Sequence, residues 1–236
     1  MTGIIILAAG ESKRFGSPKQ LAEFQGKALL RQAAETAVDA QLGPVTVVLG
    51  AVDQACREVL TGLEVSIVHN PEWRNGMGSS IVAGMRSCEG MSLDGVIIML
   101  ADQPGVTAEH LRALDAVSTA KPIVASRYDG QLGVPAWFSA GKFDQMLKLE
   151  GEKGAKALIA REPWVQGIEM PAAAFDVDTP ADLLRLSQKS RLKRDQVGQV
   201  GGIVSPGKSR RDLGTPFDRA SRDSMPQTSL WNQSYE

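Results

Sequence analysis

The sequence predicts an α/β protein, a three-layer α/β/α sandwich built around a mostly parallel sheet. Two observations support this prediction. Short apolar segments alternate along the chain with longer segments of helical periodicity, and the apolar segments carry hydrophobic residues at consecutive positions. Strands that are apolar on both faces are typical of a parallel sheet covered by helices on each side. The chain has 236 residues, of which 43% are hydrophobic, which is enough for the core of one such domain.

The first half of the chain shows the alternation clearly. Strands are predicted at residues 3–9, 45–50, 64–69, 95–101 and 122–126. Helices are predicted between them, at residues 28–40, 53–60, 79–88 and 108–117. The first helix has Leu29, Leu30, Ala33 and Ala37 at helical spacing, which indicates one face turned to the sheet.

The second half of the chain does not show this regular alternation of strands and helices. Glycines and Pro135 interrupt a short strand pair, and two short helices are predicted at 140–149 and 153–161. A last strand is predicted at 175–178, followed by a helix that Thr179 caps and Pro180 begins. Beyond residue 186, Ser, Arg, Lys, Gly and Pro dominate. We therefore predict a domain over residues 1–186 and a flexible polar and basic tail over 187–236, with binding of an acidic partner by the tail as the alternative.

The composition limits the classes of partner. A net charge of −1 does not indicate binding to nucleic acid or to an anionic membrane. Cys56 and Cys88 lack the spacing of a metal site, which favours a reducing compartment. No segment approaches the roughly 20 apolar residues of a membrane span, and no leader peptide is predicted at the start of the chain. We therefore expect a cytoplasmic protein without a nucleic-acid or membrane partner.

The segment LAAGESKRFGSPK, residues 7–19, is the most informative one for function. It follows an apolar strand and combines small residues with three cations: Ala8, Ala9, Gly10, Gly16, Lys13, Arg14 and Lys19. Small residues let backbone N–H groups approach a ligand closely, and cations around such a loop suit a polyphosphate. The loop therefore predicts a nucleoside-triphosphate site, with an ordinary surface loop as the alternative.

Two common phosphate-binding motifs are absent from this loop. A Walker A motif requires Lys followed by Ser or Thr directly after its last glycine, whereas Gly16 is followed by Ser17, Pro18 and Lys19. The dinucleotide fingerprint G-x-G-x-x-G is also missing, because Gly10 is followed by Glu11. The loop is therefore expected to be long and open and to wrap the phosphates.

Two acidic segments are predicted at the same edge of the sheet. Asp102 ends the fourth predicted strand, and ligands of open α/β sheets bind outside the carboxyl ends of the strands. Asp176 and Asp178 lie in the last predicted strand, where alternation turns both side chains to one face. Mg²⁺ binds one or two carboxylates together with phosphate oxygens, so Asp102 and Asp178 are the predicted metal ligands. Asp102 as a turn residue and Asp178 as a helix cap are the alternatives.

A third cluster precedes the predicted helix at 79–88. Its sequence is NPEWRNGMGSS, residues 70–80, and the glycines Gly76 and Gly78 allow a tight backbone path into the helix. Backbone N–H groups and the hydroxyls of Ser79 and Ser80 could contact the edge of a base. Ser79 as a simple helix cap is the alternative.

Together these segments resemble the MobA-like nucleotidyltransferase family, and within it the molybdenum cofactor cytidylyltransferases. The matching motifs, in chain order, are LAAGESKRFGSPKQL, NPEWRNGMGSSIVAGM, MLADQPGV, GQLGVPAWF, GEKGAKALI and FDVDTPADL. They cover about residues 3–186. The resemblance implies a single domain whose sheet is like that of the nucleotide-diphospho-sugar transferases.

The resemblance also assigns roles to individual residues. It implies that Gly10, Arg14 and Lys19 hold the triphosphate, that Asp102 and Asp178 bind Mg²⁺, and that the base is recognised by Ala8, Ala9, Gly78 and Ser80. Ala-Ala-Gly in place of the Ala-Gly-Gly of the guanylyltransferases favours CTP. Residues 133–135 and 151–154 would face the phosphate of the pterin. Glu152, where the family often has Asp, and Lys156, where it often has Arg, depart from the pattern on this acceptor side.

The implied reaction transfers CMP from CTP to a molybdopterin-type molybdenum cofactor and releases pyrophosphate. Lys19 would stabilise the α-phosphate and Arg14 the leaving pyrophosphate, while Asp102 and Asp178 hold the metal. A molybdoenzyme or a chaperone is a candidate protein partner. Three alternatives stay open: an enzyme that uses GTP or a sugar or polyol phosphate, a non-catalytic carrier of the molybdenum cofactor, and a Rossmann-type dehydrogenase, which the missing fingerprint and Gly50 at the end of the second strand disfavour.

Overall fold

The computed structural model describes residues 1–118, 121–152 and 154–189. The strands are β1 (Thr2–Ala8), β2 (Glu23–Phe24), β3 (Lys27–Ala28), β4 (Val45–Leu49), β5 (Ser66–His69), β6 (Gly95–Leu100), β7 (Ile123–Tyr128), β8 (Gln131–Ser139) and β9 (Val165–Glu169). The helices are α1 (Leu29–Asp39), α2 (Asp53–Leu60), α3 (Met77–Ser87), α4 (Ala108–Ala116), α5 (Phe143–Met146), α6 (Gly154–Arg161) and α7 (180–189).

Seven of the strands form one mixed sheet in the order β5-β4-β1-β6-β8-β7-β9. The pairs β4–β5, β1–β4, β1–β6 and β7–β9 are parallel, whereas β8 runs antiparallel to both of its neighbours. A tight turn explains this one reversal. Asp129 and Gly130, between β7 and β8, both have positive φ (49° and 72°), as a two-residue hairpin turn requires. The predicted α/β class with a mostly parallel sheet is confirmed.

Helices cover both faces of the sheet. On β1, Ile4 and Ile6 pack into one hydrophobic cluster with side chains of α1, α2 and α4. Ile5 and Leu7 pack into a second cluster with α3, α5 and α6 on the opposite face. Full burial of an aliphatic side chain contributes about 1.5–3 kcal/mol, so both layers stabilise the sheet. The central strands β1, β4 and β6 are buried on both faces, as expected, whereas the edge strand β5 is half-exposed. The strands β1 and β6 are neighbours near the middle of the sheet.

One expectation about the C-terminal part is wrong, and one strand there was not predicted. Residues 175–178 form no strand, and the last strand of the described residues is β9, which the sequence did not predict. The segment 175–178 instead crosses the carboxyl ends of the strands, because Val177 is fully buried in a small cluster with Phe24 and Leu29. The edge strand β9 is half-exposed and contains Gly167, so its apolar signal is weak.

The predicted cap of the C-terminal helix is present. Asp182 N–H donates to Thr179 Oγ1 at 3.3 Å, and Thr179 N–H donates to Asp182 Oδ2 at 2.9 Å. This reciprocal pair satisfies two N–H groups that a helix start leaves open. Residues 187–189 continue α7, and the rest of the predicted tail, 190–236, lies outside the described residues. In the described part of the chain, every helix is too short or too polar to cross a bilayer.

Candidate active site

Two adjoining cavities open at the carboxyl ends of β1 and β6. The first has a volume of about 560 Å³ and is lined by the loop after β1 together with Trp73 and Ser80. The second has a volume of about 600 Å³ and lies towards Tyr128 and α6. Five residues line both cavities: Lys19, Met77, Leu100, Asp102 and Glu152. A ligand in one cavity would therefore meet a ligand in the other beside Lys19 and Asp102.

The loop after β1 is held open by hydrogen bonds to its own backbone. The side-chain amide of Gln20 is buried and donates to the carbonyl oxygens of Ala8 at 3.0 Å and Gly10 at 2.7 Å. Lys19 N–H donates to Ser12 Oγ at 3.1 Å, and Ser12 itself has a φ of 60°. Sequence reasoning missed the role of Gln20, because its only signal was a polar residue within the first motif.

The charged groups of the site converge on one point. Lys19 Nζ is hydrogen-bonded to Asp102 and lies 3.2 Å from Asp178 Oδ1. Arg14 Nη2 lies 3.0 Å from the other oxygen, Asp178 Oδ2. The Lys19 and Asp102 side chains are largely buried, at 21% and 13% exposed, whereas Arg14 is 74% exposed. The structure therefore brings together all four charged residues that the sequence placed in the site.

The electrostatic balance keeps Lys19 charged. Burial by itself lowers the pKa of this amine, but the charges of Asp102 and Asp178 and their hydrogen bonds to it outweigh burial, and the pKa is raised above its ordinary value. An ammonium held in this way stays charged at neutral pH. It is therefore available to neutralise phosphate oxygens.

A backbone contact positions the second acidic segment. Val177 N–H donates to the carbonyl oxygen of Asp102 at 2.9 Å, which fixes Asp178 beside Asp102 without a strand. On the other side of Val177, Asp176 Oδ1 accepts a hydrogen bond of 2.9 Å from Gln103 Nε2. Burial against protein, followed by the nearby charge of Asp102, raises the pKa of Asp176. Asp178 is not the helix cap that the sequence left as an alternative, because Thr179 has that role.

The acidic pair has the features of a site for a hard divalent cation. Asp102 Oδ1 is buried without a hydrogen-bond partner, although an unsatisfied buried carboxylate oxygen is costly. The described residues contain no group of three or more His, Cys, Asp or Glu side chains arranged for a metal ion. Mg²⁺ needs no such cage, since it usually takes one or two carboxylates, substrate phosphates and water. The donor set of Asp102 and Asp178 therefore fits Mg²⁺ bound together with a phosphorylated ligand.

The far end of the first cavity is organised by Asn70. Its buried side-chain amide donates to Ser79 Oγ and Ser80 Oγ, both at 3.0 Å. Ser79 Oγ lies 2.9 Å from the carbonyl oxygen of Glu72 and 2.8 Å from that of Gly76, and its single O–H donates to this pair of acceptors. Helix α3 begins at Met77, so Ser79 is not its cap and instead closes the loop before it. Ser80 lines the cavity, as do Ala8, Ala9 and Gly10.

Gly78 occupies a different position from the other predicted base-contacting residues. Its N–H donates to the carbonyl oxygen of Gly151 at 2.9 Å. A Cβ at this position would lie 2.9 Å from the backbone carbon of Glu150. The geometry thus gives Gly78 a packing role, in which α3 and the 150–152 loop approach each other closely.

The second cavity is lined by cationic and apolar side chains in addition to the acidic residues Asp102, Glu152, Asp176 and Asp178. Lys156 and Arg161 of α6 line it together with Arg14, and Tyr128, Met77 and Val134 provide ring and aliphatic surface. Tyr128 Oη donates to the carbonyl oxygen of Val134 at 3.1 Å, which fixes the ring. Of the two segments predicted to face the acceptor, Val134 and Glu152 line this cavity.

Comparisons with known proteins show what this chain is similar to. The profile of the MobA-like NTP transferase domain matches residues 4–166. Purine catabolism protein PucB of Bacillus subtilis (strain 168) is 30% identical over 190 residues, covering 75% of this chain and 92% of that protein. Nicotine blue oxidoreductase of Paenarthrobacter nicotinovorans is 30% identical over 198 residues, covering 79% and 96%.

A solved structure adds a metal to the comparison. The crystal structure of Rv0371c from Mycobacterium tuberculosis H37Rv in complex with manganese is 29% identical to this chain, with a TM-score of 0.65. The match covers 79% of this chain and 98% of Rv0371c. The profile match spans more than half of the chain and includes Arg14, Lys19, Asp102 and the lining of the first cavity. This chain therefore belongs to the MobA-like NTP transferase family.

Proposed function

We propose that this protein transfers CMP from CTP to a molybdopterin-type molybdenum cofactor and releases pyrophosphate. One observation carries the proposal: Lys19, Asp102 and Asp178 meet where the two cavities join. A triphosphate in the first cavity and a phosphorylated acceptor in the second would place the α-phosphorus beside these charges. Membership of the nucleotidyltransferase family supports this reaction class.

The reaction needs alignment and charge neutralisation more than acid–base chemistry. An oxygen of the acceptor phosphate forms a bond to the α-phosphorus, while the bond from the α-phosphorus to the bridging oxygen breaks and pyrophosphate leaves with the electron pair. The attacking oxygen is already ionised, so no general base is required. Lys19 neutralises the α-phosphate from the shared rim of the cavities. Arg14 lines the second cavity beside Asp178, and its exposed side chain would have to turn towards the first cavity to neutralise the leaving pyrophosphate.

Asp102 and Asp178 would hold Mg²⁺. When bound, the ion neutralises phosphate charge and fixes the orientation of the triphosphate. The unpartnered Asp102 Oδ1 supports this role, and so does the manganese complex of the related Rv0371c. The backbone hydrogen bond from Val177 to Asp102 keeps the carboxylates of Asp102 and Asp178 next to each other.

The lining of the second cavity supports a pterin-type acceptor over a polyol phosphate. Lys156 and Arg161 are suited to a phosphate, whereas Tyr128, Met77 and Val134 offer flat or apolar surface to a ring. A polyol would leave this apolar surface without a partner of its own kind. The acceptor is therefore best described as a phosphate monoester attached to a heterocycle.

The choice of CTP rests on Ala8 and Ala9, whose small side chains line the first cavity where the resemblance places the base. The methyl group of Ala9 lies beside the backbone of Gly50, since a Cβ on Gly50 would lie 2.9 Å from Ala9 Cβ. The methyl group of Ala9 therefore has no room to move towards Gly50 when a larger base enters the cavity. The variant Ala9→Gly tests this role, and we expect it to raise the use of GTP relative to CTP.

The deciding experiment follows pyrophosphate release with each of the four nucleoside triphosphates, purified molybdopterin-type cofactor and Mg²⁺. We expect release with CTP, formation of the cytidylylated cofactor, and no release when the acceptor is omitted. Release with GTP, or with a sugar or polyol phosphate as acceptor, would identify the alternative enzyme. Tight cofactor binding without release of pyrophosphate with any triphosphate would identify a carrier.

The name of the Paenarthrobacter relative raises a second candidate, an oxidoreductase. The loop after β1 lacks the dinucleotide fingerprint, and Gly50 stands where an acidic ribose ligand would follow β4. Incubation with NADH or NADPH and a dye acceptor, followed at 340 nm, checks this candidate. Oxidation of the nicotinamide at a rate that depends on the protein would favour it over nucleotidyl transfer.

A further inference from the structure

A single ammonium group joins the two carboxylates of the acidic pair. Lys19 Nζ contacts both Asp102 and Asp178, and among the residues that the structure describes it is the only basic side chain within 4.0 Å of Asp102. These are the same two carboxylates that would hold the divalent cation. The side chain therefore occupies space that a metal ion bridging the pair would need.

The ammonium and the metal compete for this space. A divalent cation between the two carboxylates would lie within a few ångströms of the Lys19 ammonium, which contacts both of them, and like charges at that distance repel each other. Lys19 has another position within its reach, since its side chain lines both cavities. In that position, phosphate oxygens replace the carboxylates as its partners.

We propose that Lys19 occupies the metal position in the nucleotide-free protein, so that tight metal binding requires the triphosphate to draw Lys19 away from Asp102 and Asp178. This inference rests on the proposed function only for the identity of the metal ligands and of the triphosphate. Its consequence is an order of binding. The metal enters with or after the nucleotide. While no nucleotide is bound, Asp102 and Asp178 stay paired with Lys19.

The backbone around Lys19 supports a movement of the side chain alone. Lys19 N–H is held by Ser12 Oγ at 3.1 Å, and the neighbouring Gln20 is anchored to the carbonyl oxygens of Ala8 and Gly10. The loop can therefore keep its path while the four-carbon stem of the lysine turns. Arg14 is more exposed and contacts only Asp178, so it does not bridge the pair.

The test is a titration of nucleotide-free protein with Mn²⁺, in which electron paramagnetic resonance measures the concentration of free Mn²⁺. Lys19→Met removes the ammonium and keeps most of the stem. We expect it to bind Mn²⁺ about tenfold more tightly than the wild type, because the ion no longer has to displace a charged hydrogen-bond donor from the two carboxylates. Lys19→Arg keeps the charge and is expected to bind as weakly as the wild type.

Two further variants make the result specific to this site. Lys13→Met removes the same charge from the same loop, but Lys13 contacts Glu11 and not the acidic pair, so its Mn²⁺ affinity should equal that of the wild type. The double variant that combines Lys19→Met with Asp102→Asn lacks one of the proposed metal ligands, so it should lose the gain in Mn²⁺ affinity. Thermal unfolding of each variant verifies that it is folded, and Lys19→Gln replaces Lys19→Met if the methionine variant is not.

Equal or weaker Mn²⁺ binding by the folded Lys19→Met or Lys19→Gln variant overturns the inference. So does an equal gain in Lys13→Met, which would indicate a general effect of charge. These outcomes are measured as Mn²⁺ binding and do not depend on whether the protein catalyses a reaction. Absence of pyrophosphate release by the wild type, combined with the expected Mn²⁺ result, would refute the proposed function and leave the competition at the acidic pair established.

Discussion

The main-chain N–H of Val177 lies 2.9 Å from the carbonyl oxygen of Asp102 and donates to it. This bond joins the end of β6 to a segment that forms no strand, and it does so through the backbone. The carboxylates of Asp102 and Asp178 are therefore brought together by main-chain geometry. A change to either side chain should leave the path of the backbone intact, so catalysis and folding can be tested separately.

Replacement of the charged groups should slow turnover about a hundredfold without unfolding the protein. Lys19→Ala and Asp102→Ala each remove one charge from the point where the cavities meet, and loss of such a contact typically costs on the order of 3 kcal/mol, or about a hundredfold in rate. Pyrophosphate release with CTP and Mg²⁺ measures the loss, and circular dichroism verifies folding. Lys27→Ala is the control, because Lys27 pairs with Glu35 outside both cavities. Near wild-type turnover in either site variant would show that the assigned roles are wrong.

Gly10 should be required by the ligand and not by the fold. It lines the first cavity, a Cβ at this position would meet nothing within 4 Å, and its φ lies outside the left-handed region. We expect Gly10→Ala to unfold at the same urea concentration as the wild type. The added methyl group would intrude on the phosphates, and crowding of about 1–3 kcal/mol raises the KM for CTP by about tenfold or more. A lower urea midpoint with an unchanged KM would reverse this assignment.

Much of the site was predictable because strand ends and charges are local features. Small residues and cations directly after an apolar strand indicate a phosphate loop wherever the strand lies. The parallel sheet then places Asp102, at the end of another central strand, at the same edge. The reasoning needed only the order of elements, which hydrophobic periodicity supplies.

The acidic segment could not be placed correctly by the same reasoning. Phe175 and Val177 alternate with acidic residues, which is the pattern of a half-buried strand. Val177 is instead buried against Phe24 of the small β2–β3 hairpin, a contact between distant segments that periodicity does not reveal. Gln20 was missed for a related reason. A polar residue in a loop looks solvent-exposed until the carbonyl groups that bury it are known.

The contact between α3 and the sheet should be sensitive to a single methyl group. A Cβ on Gly84 would lie 2.6 Å from Ile5 Cγ2 and 3.1 Å from Val48 Cγ2, and both neighbours are fully buried. Alanine favours the helix by about 1 kcal/mol, but overpacking costs about 1–3 kcal/mol, and here the rigid β-branched neighbours cannot move aside. Because a contact of 2.6 Å is shorter than real Cβ atoms show, the cost should lie in the upper part of its range. We expect Gly84→Ala to lower the free energy of unfolding by about 1–2 kcal/mol in urea titrations.

Gly141→Ala provides the matched control for this prediction. A Cβ there would lie 3.7 Å from Ser139 Oγ, which is an ordinary van der Waals contact. Its free energy of unfolding should stay within about 0.5 kcal/mol of the wild type. Equal effects of the two substitutions would show that the loss at Gly84 is not caused by crowding against the sheet.

The two cysteines should be inert in the native protein. Burial, together with the charge of Asp53, raises the pKa of Cys56 to about 11, and burial also raises the pKa of Cys88. A neutral buried thiol reacts slowly, so Ellman's reagent at pH 8 should label neither cysteine until urea unfolds the chain. Because the fold favours the neutral thiol, its contribution to stability is complete below about pH 9 and is lost as the pH rises towards about 11. Between about pH 9 and pH 11, the free energy of unfolding of Cys56→Ala should therefore fall less than that of the wild type. Lysine side chains also titrate in this range, but they do so in both proteins and cancel in the comparison. Rapid labelling of native protein at pH 8 would contradict the burial on which this argument depends.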